Sequence, residues 1–406
     1  MTALPALHQN TVAPSLDLPW EEDIVALRRD FHAHPELGYE EVRTSGVVAD
    51  RLRALGLEVT TGIGKTGVVA LLHGGKPGPC VLVRADMDAL PVVEANGWEW
   101  KSTTSGKMHA CGHDCHTATA LTVARLLAAQ KDELAGTVKF MFQPAEEGQG
   151  GALAMIKDGL LENPRPDFSL GLHVWSAIEA GKIGVKSGPV MAAADIFTAT
   201  IKGKGGHGAI PQQTIDPVVI AAQLVLALQT IVSRNLDPLQ PAVVTVGKIE
   251  AGSAFNVIPS EARIEGTVRA FDPQVRAMVE RRCREITQAL PLAFGATGEF
   301  YYEPGYPTTS NDASVTARIT PALERVVGAE NVEEFTPTMG AEDMSLVLEQ
   351  IPGCYFFVGG RNEAIDAVYP HHHAKFNVDE RALHIGARAL VEAVRELLTP
   401  QLADAA

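Results

Sequence analysis

Short apolar runs alternate with amphipathic segments along the first part of the chain. Four apolar, β-branched runs bounded by Gly and Pro predict strands at 68–73, 79–85, 137–142 and 168–172. Three other segments predict helices at 20–33, 44–55 and 117–130, the last of them apolar enough to be buried. This alternation indicates a largely parallel or mixed α/β sheet with helices on both faces.

Polar side chains follow three of these predicted strands. Asp86 and Asp88 come after the second apolar run, and Glu146 and Glu147 come after the third. His173 directly follows the fourth run. Because ligands of open α/β sheets bind outside the carboxyl ends of the strands, we expect these side chains to converge on one crevice.

The pattern changes near Gly188. From there the predicted order is βαββαβ, with strands at 195–202, 242–250, 261–270 and 298–303, and each helix begins at an Asp-Pro pair. This order is typical of a ferredoxin-like domain, so 188–303 is predicted to be an inserted second domain. The larger domain then comprises 1–187 and 304–406. Its second part has predicted helices at 316–327, from about 342 and at 380–398, and a strand at 354–358.

Composition restricts the possible partners and compartments. The 406 residues carry a formal net charge of -15 with a pI near 5.3, a balance that disfavours nucleic acid and membrane surfaces as partners. The N-terminus has no signal-peptide pattern, and we expect no run of membrane-spanning length. These features predict a cytoplasmic protein. Five scattered cysteines predict free thiols rather than disulfides.

The segment Met108–His116 concentrates side chains that can bind metals. It contains two cysteines and three histidines, and thiolate and imidazole are ligands of divalent metals such as zinc. The spacing also allows a nucleophilic Cys111 with His113 as its base, because residues two apart on an extended segment point the same way. A loop of satisfied histidines with a buried cysteine is the third interpretation.

The pair Glu146-Glu147 adds carboxylates to this candidate centre. Adjacent residues at a strand end point to opposite sides, so one carboxylate can bind a metal while the other faces the reacting water. A bound metal lowers the pKa of its water toward about 7, and a nearby carboxylate can accept the proton. The alternative interpretation of the pair is a solvated acidic turn.

Further candidates each have two interpretations. His173 is either a satisfied core residue or a ligand, and its place beside the other strand ends favours a ligand. The run His371–His373 is either a surface feature or a metal clip. Asp86 and Asp88 are either ligands or groups that orient a ligating imidazole, and we favour the orienting role.

A glycine-rich segment in the predicted insert, Gly203–Gly208, contains His207. The segment completes no phosphate-binding fingerprint, so phosphate binding is not expected. It is either a glycine turn with a surface histidine or a backbone that presents His207 to a developing oxyanion.

Eight motifs occur in an order that resembles a known family: HAHPELGYEE, RADMDALPV, MHACGHDCHTA, QPAEEGQGGA, GLHVW, GKGGHGAIPQQTIDP, FNVIP and GAEDMS. Together they resemble the bacterial hippurate hydrolases and N-acyl-amino-acid amidohydrolases, relatives of the plant auxin-conjugate hydrolases. The similarity covers nearly the whole chain from about Glu22. It implies a dimetal exopeptidase-like catalytic domain with a mixed central sheet and an inserted ferredoxin-like lid or dimerisation domain.

The resemblance also assigns roles to residues. It makes Glu146 the general base. The family's last histidine stands four positions before an aromatic residue, here Phe376, which selects His372 from three adjacent histidines. Relatives use zinc, manganese, cobalt or nickel, and zinc or manganese is expected first. Five side chains are implied to bind two divalent ions: Cys111, His113, Glu147, His173 and His372.

Substrate and assembly follow from the same resemblance. It implies that His207 reaches the active site of a partner subunit and stabilises the tetrahedral intermediate, and that Asn256 helps hold the substrate carboxylate. A homodimer or homotetramer is therefore expected. The predicted reaction is hydrolysis of an N-acyl-L-amino acid to a carboxylic acid and a free amino acid.

Three other functions fit the same residues. A dipeptidase or an N-carbamoyl amidohydrolase would keep every ligand and differ only in its pocket. A thiol hydrolase would use Cys111, be blocked by alkylation and be indifferent to chelation. A non-catalytic protein would bind acyl amino acids without consuming them.

Overall fold

The structure is a computed structural model, and it describes residues 19–399 of the chain. Residues 1–18, on which the absence of a signal peptide was argued, and residues 400–406 lie outside the described part. The α-helices are α1 (Trp20–Ala33), α2 (Val42–Ala54), α3 (His113–Ala128), α4 (Gly151–Lys157), α5 (Pro217–Thr230), α6 (Pro273–Ala289), α7 (Ala313–Val327), α8 (Ser345–Leu348) and α9 (Arg381–Leu398).

Each predicted strand is present, with ends within a few residues of the prediction except for the strand predicted at 168–172, which extends beyond its predicted end at 172; further short strands were not predicted. The helix predicted to begin at about 342 is α8, a single turn that begins at Ser345. The strands are β1 (Glu58–Ile63), β2 (Gly67–His73), β3 (Lys76–Asp86), β4 (Ala135–Gln143), β5 (Phe168–Glu179), β6 (Ile183–Val185), β7 (Gly188–Met191), β8 (Ala193–Lys202), β9 (Gly206–His207), β10 (Ala242–Ala251), β11 (Val257–Ile258), β12 (Glu261–Ala270), β13 (Thr297–Pro304), β14 (Thr309–Asn311), β15 (Val332–Glu334) and β16 (Gly353–Arg361).

Eight strands form the central sheet in the order β1-β2-β4-β3-β5-β16-β6-β15. Strands β4, β3, β5 and β16 run parallel to one another. Strand β2 is antiparallel to β1 and β4, and β6 is antiparallel to β16. Strand β16 is buried from Gly353 to Gly360, as is typical of a strand that is covered on both faces. The sheet is therefore mixed, which confirms the predicted α/β class.

Helices α2, α3, α7 and α9 pack on this sheet. Helix α9 is amphipathic and buries Leu383, Leu390 and Leu397 on one face, whereas α3 is buried on nearly all sides. Helix α3 packs against both α1 and α9, and it also contacts β3 and β5. This packing fixes the N-terminus of α3 near the strands that carry the candidate site.

The chain divides into two units, the second of which comprises Pro189–Ser310 and Thr336–Leu346. Both 304–310 and 336–346 were predicted to lie in the larger domain, but they belong to the second unit. The four-stranded sheet of the second unit has the antiparallel order β10-β12-β8-β13, and α5 and α6 pack on it. Both helices begin as predicted, because Asp216 and Asp272 each accept a backbone N–H of the first turn. The arrangement is the ferredoxin-like one.

Helix α5 belongs to an unusually apolar stretch. With the five residues that follow it, the helical segment Pro217–Asn235 is long and apolar enough to cross a membrane by length and composition alone. The expectation that no run reaches this length is wrong for this stretch. Polar residues such as Gln223 and Gln229 break the apolar run in the sequence, but they carry no charge, so the segment still has the length and composition of a membrane span. Ile220 and Leu224 are buried in the core of the second unit, as in a helix of a folded domain.

Candidate metal centre

Strands β3, β4 and β5 bring the predicted residues to one edge of the central sheet. Strand β3 ends at Asp86, level with the end of β4. The register of β3 and β5 pairs Arg84 with Gly171, so His173 lies level with Asp86. The prediction that His173 directly follows its strand is wrong, because β16 pairs with β5 as far as Glu179 and the strand continues.

A left-handed turn at Gly112 precedes helix α3, which begins at His113. Gly112 has φ 99°, and a Cβ at this position would lie 2.4 Å from Cγ2 of Val174 on β5. Glycine meets both demands because it has no Cβ. The turn therefore holds Cys111 and the first residue of α3 against β5.

Asp88 contacts two of the candidate ligands. Its Oδ1 lies 3.1 Å from Nδ1 of His113, and its Oδ2 accepts the backbone N–H of Glu147 at 3.0 Å. Nε2 of His113 makes no hydrogen bond to any residue between 19 and 399. Burial lowers the pKa of His113, but Asp86 and Asp88 outweigh this effect and raise it to about 10. A carboxylate that fixes one ring nitrogen and leaves the other open is expected beside a metal ligand.

Asp86 contacts His116, which is not among the ligands predicted from the sequence. Its Oδ1 lies 2.6 Å from Nδ1 of His116, whose Nε2 accepts the backbone N–H of Val174 at 3.0 Å. Both ring nitrogens of His116 are therefore occupied, and this histidine has a structural role. Oδ2 of Asp86 accepts a hydrogen bond from Arg84 at 2.7 Å and lies 3.6 Å from Nε2 of His113.

His173 faces the thiol of Cys111. Its Nδ1 donates to the backbone oxygen of Val174 at 2.6 Å, and its Nε2 lies 3.6 Å from Sγ of Cys111. Burial and the neighbouring His116 lower the pKa of His173 well below its usual value. The ring is therefore neutral with a lone pair on Nε2, the form in which imidazole binds a metal.

The two glutamates lie in a tight turn and not on extended backbone. Pro144 follows the end of β4, and Ala145 has φ 53°. One carboxylate oxygen of Glu146, one of Glu147 and a ring nitrogen of His113 all lie within 4.8 Å of one another. The prediction that the two side chains point to opposite sides is wrong, because the turn brings both to the same imidazole.

Two of the three adjacent histidines are already engaged. Nε2 of His371 accepts the backbone N–H of Ser176 at 3.3 Å, and Nδ1 lies 3.2 Å from the backbone oxygen of Cys111. His373 is exposed and stacks on Tyr369, with 4.6 Å between ring centroids. Neither ring reaches the candidate ligands with a free nitrogen in this arrangement.

His372 is the member of the run that approaches a carboxylate of the site. Its backbone N–H donates to the oxygen of Ala110 at 2.7 Å, and its Nε2 lies 3.3 Å from Oε1 of Glu147. Thiol, imidazole and carboxylate together suit a divalent ion such as zinc. Two groups of donor atoms, each within 4.8 Å, share one thiol: Cys111 with His113 and His173, and Cys111 with Glu147 and His372.

The surroundings of Cys111 disfavour a nucleophilic thiolate. Burial and the carboxylates of Glu147 and Glu146 raise the pKa of the Cys111 thiol well above its usual value. A nucleophilic cysteine requires the opposite, a pKa lowered by a cationic neighbour or a helix N-terminus. A divalent cation at this position would ionise the same thiol.

Glu41 supports the site and was not selected from the sequence. It is fully buried, its Oε1 accepts the backbone N–H of Ala145 at 2.8 Å, and its Oε2 accepts the hydroxyl of Thr66 at 2.6 Å. Glu41 therefore holds the turn that carries Glu146 and Glu147. The only signal in the sequence was the acidic pair that ends HAHPELGYEE, and spacing does not reveal burial.

His207 and Asn256 are neighbours in the second unit. Strands β9 and β11 pair His207 with Val257, and the N–H of Gly208 donates to the backbone oxygen of Asn256 at 2.8 Å. Both side chains are exposed. Nδ1 of His207 accepts the backbone N–H of Ala209 at 3.0 Å, so the neutral ring carries its proton on Nε2. The pair of strands thus presents an imidazole N–H donor and a carboxamide.

The fold and the donor groups define the class as a metal-dependent hydrolase with a mixed α/β catalytic unit and a ferredoxin-like insert. The profile described as Peptidase family M20/M25/M40 matches residues 82–396. The chain therefore belongs to this family, whose members hydrolyse amide bonds.

Relatives of this chain carry several activities in their names. Thermostable carboxypeptidase 1 of Saccharolobus solfataricus is 43% identical over 373 residues, 91% of this chain and 94% of that protein. N-acetyl-L-cysteine deacetylase of Bacillus subtilis is 41% identical over 378 residues, 93% and 89% of the two chains. IAA-amino acid hydrolase ILR1-like 4 of Arabidopsis thaliana is 43% identical over 368 residues, 90% and 83%. The resemblance to amidohydrolases and auxin-conjugate hydrolases is confirmed.

A solved structure agrees with the fold. The YXEP protein of Bacillus subtilis, described as a dinuclear metal binding peptidase from the M20 family, superposes with a TM-score of 0.83 at 34% identity. The match covers 93% of this chain and 98% of that one. The dimetal exopeptidase-like fold predicted from the motifs is therefore confirmed.

Proposed function

We propose that the protein uses two divalent metal ions to hydrolyse the amide bond of N-acyl-L-amino acids. The observation that carries the proposal is the pair of donor groups that share Cys111. The names of two relatives support the substrate class, since one is a deacetylase of N-acetyl-L-cysteine and the other a hydrolase of IAA-amino acids.

Each side chain near the thiol has a part in this proposal. When bound, the two ions supply Lewis acidity at the amide carbonyl and acidify the attacking water. Asp88 orients the imidazole of His113, and Asp86 holds the neighbouring His116 in place. Glu146, buried beside that imidazole, takes the proton of the water and delivers it to the leaving amine. The five proposed ligands are Cys111, His113, Glu147, His173 and His372.

The donor set bears on which metal is bound. Zinc and manganese are the first candidates, with cobalt and nickel as alternatives. The thiolate of Cys111 and the imidazoles favour zinc, because manganese prefers carboxylate, carbonyl and water ligands.

The second unit is proposed as a lid and a dimerisation surface. Helix α5 exposes 44%, 52% and 71% of Val218, Val219 and Leu226, an apolar face turned away from its own sheet. A homodimer, or a tetramer built from dimers, would cover that face. His207 would then donate its Nε2–H to the oxyanion in the partner subunit's site, and Asn256 would bind the substrate carboxylate.

A cytoplasmic location is part of the proposal. All five cysteines, among them the buried Cys80, Cys115, Cys283 and Cys354, are free thiols. Free thiols persist in a reducing compartment.

The test combines chelation with a matched pair of substitutions. Removal of metal should abolish hydrolysis of benzoyl- and acetyl-amino acids, and added Zn²⁺ or Mn²⁺ should restore it. Glu146→Gln should retain metal but reduce kcat by about 10²–10⁴-fold, the contribution of a general base. Glu147→Gln should lose metal in addition to activity. Metal analysis of both proteins therefore separates the role of the base from that of the ligand.

Three outcomes would contradict the mechanism. Full activity in metal-free protein, together with inactivation by alkylation of Cys111, would indicate a thiol hydrolase. Unchanged turnover in Glu146→Gln would show that another group moves the proton. Binding of acyl amino acids without turnover by the metal-loaded wild-type protein would indicate a binding protein.

Carboxypeptidase activity is the second candidate, because a relative at 43% identity bears that name. Peptides with a free carboxyl terminus, dipeptides and N-carbamoyl amino acids should be assayed beside the acyl amino acids. The proposal requires the highest kcat/KM for an N-acyl amino acid, and a higher value for a peptide would replace it with peptidase activity.

A further inference from the structure

A buried guanidinium on helix α1 connects three segments of the larger unit. Arg28 is 1% exposed, and its Nε donates to Oδ2 of Asp114 at 3.0 Å. Its Nη1 donates to Oε1 of Glu380 at 3.2 Å, and its Nη2 donates to Oδ1 of Asn377 at 3.3 Å. The planar group also lies over Trp100, with Cζ 4.1 Å from the ring centroid. One side chain thus makes four contacts whose directions are fixed by its geometry.

The acceptors of Arg28 adjoin two separate stretches of proposed metal ligands. Asp114 directly follows His113 in the first turn of α3. Asn377 stands five residues after His372 in the segment that leads into α9. The guanidinium therefore spans the two parts of the chain whose ligands must meet at one centre.

A second branch of the network joins the same two parts. Nδ1 of His32 donates to Oδ2 of Asp114 at 2.8 Å, and its Nε2 lies 3.2 Å from Oε1 of Glu94. Glu94 also accepts from Asn96 at 3.0 Å, and Asn96 donates to the backbone oxygen of Phe376 at 3.3 Å. The contacts of Asn96 thus reach the segment after His372. The first turn of α3 and that segment are therefore linked twice, once through Arg28 and once through His32.

The network holds charge away from water. Asp114 is 1% exposed, and its Oδ2 accepts hydrogen bonds from both Arg28 and His32. A buried carboxylate of this kind depends on its partners, and loss of one partner leaves uncompensated charge. A lysine would keep the positive charge at position 28 but could not reproduce three bonds in one plane.

We propose that Arg28 is a positioning residue that sets the spacing between the loop of Cys111 and His113 and the segment of His372. The planar geometry of the guanidinium, and not its charge alone, then controls the affinity of the centre for divalent metal. The inference rests on the proposed function, because it takes these residues as metal ligands.

The test compares two buried arginines, Arg28 on α1 and Arg51 on α2. Arg51 of α2 forms an ion pair with Asp23 of α1, both Nη atoms donating at 3.0 Å, and neither residue adjoins a proposed ligand in the sequence. Arg28→Lys and Arg51→Lys should lower the melting temperature of the metal-free protein similarly. Co²⁺ is then titrated into each metal-free protein, with calorimetry giving Kd and visible absorption reporting thiolate ligation.

The expected result is selective. Arg28→Lys should raise the Kd for Co²⁺ about 10–100-fold, the range for groups that orient ligands, and should weaken the thiolate absorption at equal occupancy. Arg51→Lys should leave both quantities as in the wild type. Equal Kd values for the two variants would overturn the inference and make Arg28 a structural clamp only.

Asn377→Ala provides a second variant should Arg28→Lys not fold. It removes one hydrogen bond of the guanidinium on the side of His372. A raised Kd for Co²⁺ in this variant supports the inference, and an unchanged Kd overturns it. Absence of Co²⁺ binding by the wild-type protein contradicts both the proposed function and this inference. If the wild-type protein binds Co²⁺ and the variants bind it with the same Kd, only the inference is contradicted.

Discussion

Two hydrogen-bonding patterns separate the imidazoles around Cys111. In His113 and His173 an oxygen contacts Nδ1, and Nε2 turns toward other candidate ligands. In His116 and His371 both ring nitrogens are occupied, one of them by a backbone N–H. A nitrogen that accepts a backbone N–H has no lone pair left for a metal. The first pattern therefore indicates ligands, and the second indicates structural residues.

The three adjacent histidines offer a test of this distinction at single residues. His372→Ala should lower metal affinity by at least about 100-fold, since loss of a ligand exceeds the loss of a group that orients one. His373→Ala should behave as the wild type in metal content and turnover. Metal analysis and kcat/KM on the purified proteins check both expectations.

His371→Ala should act on stability instead. The half-buried ring packs against Trp175, 4.7 Å between centroids, and its removal should lower the free energy of unfolding by about 0.5–3 kcal/mol, the common range for single substitutions. The folded fraction should still bind metal. If His371→Ala lost metal while His372→Ala kept it, the assignment of the ligand would move by one residue.

The sequence predicted most residues that gather at this centre, and the misses have physical reasons. Polar residues after apolar strands pointed to Asp86, Asp88 and Glu147, since parallel strands end at one edge. Glu41 was missed because its contact with Ala145 joins residues far apart in the chain. The orientation of the glutamate pair was wrong because no local pattern signals a positive φ at an alanine.

At the scale of elements, the turn into helix α3 determines where two proposed ligands lie. Gly112 joins the loop of Cys111 to the helix, and its left-handed backbone approaches Val174 on β5. Gly56 also has a positive φ, 78°, but a Cβ there would meet nothing within 4 Å. The two glycines therefore share a left-handed backbone conformation, but only Gly112 is also closely packed against a neighbouring strand.

Alanine substitutions at these glycines should differ accordingly. Gly56→Ala should lower the free energy of unfolding by about 1–3 kcal/mol, the cost of a left-handed non-glycine residue. Gly112→Ala should cost more and should also weaken metal binding, because the new Cβ displaces either β5 or the turn. Urea unfolding of metal-free protein and metal titration measure the two effects, and equal values for both variants would show that the approach to β5 is unimportant.

Local signals located elements better than they located element ends. The Asp-Pro pairs gave the starts of α5 and α6, because an Asp cap and a proline at the first position both act within one turn. The end of β5 was missed because β16 extends the pairing beyond the point where β3 stops, and that partner lies far along the chain. For α8 only an approximate start at 342 was predicted, since a periodic segment does not indicate how soon tertiary packing ends a helix, and the helix is a single turn from Ser345.

At the scale of the whole molecule, charge and apolar surface have opposing effects on association. A formal net charge of -15 keeps copies of the chain apart. The exposed face of α5 offers apolar area that association would remove from water. A dimer that buries this face therefore gains from the hydrophobic effect at a place where α5 carries no charged side chain.

The proposed dimer can be tested by placing charge on that face. Leu226 is 71% exposed on α5, and Val42 is 73% exposed on α2 in the larger unit, so the two positions are matched in exposure and chemistry. Leu226→Glu should yield a monomer in sedimentation experiments, whereas Val42→Glu should keep the wild-type assembly. If the partner subunit's His207 stabilises the oxyanion, the monomer should also lose about 10²–10³-fold in kcat, the usual contribution of one such donor. Metal content should be unchanged, because every proposed ligand lies in the larger unit.

Two results would contradict this arrangement. A fully active Leu226→Glu monomer would place the oxyanion donor within one subunit, and a Leu226→Glu dimer would move the interface away from α5.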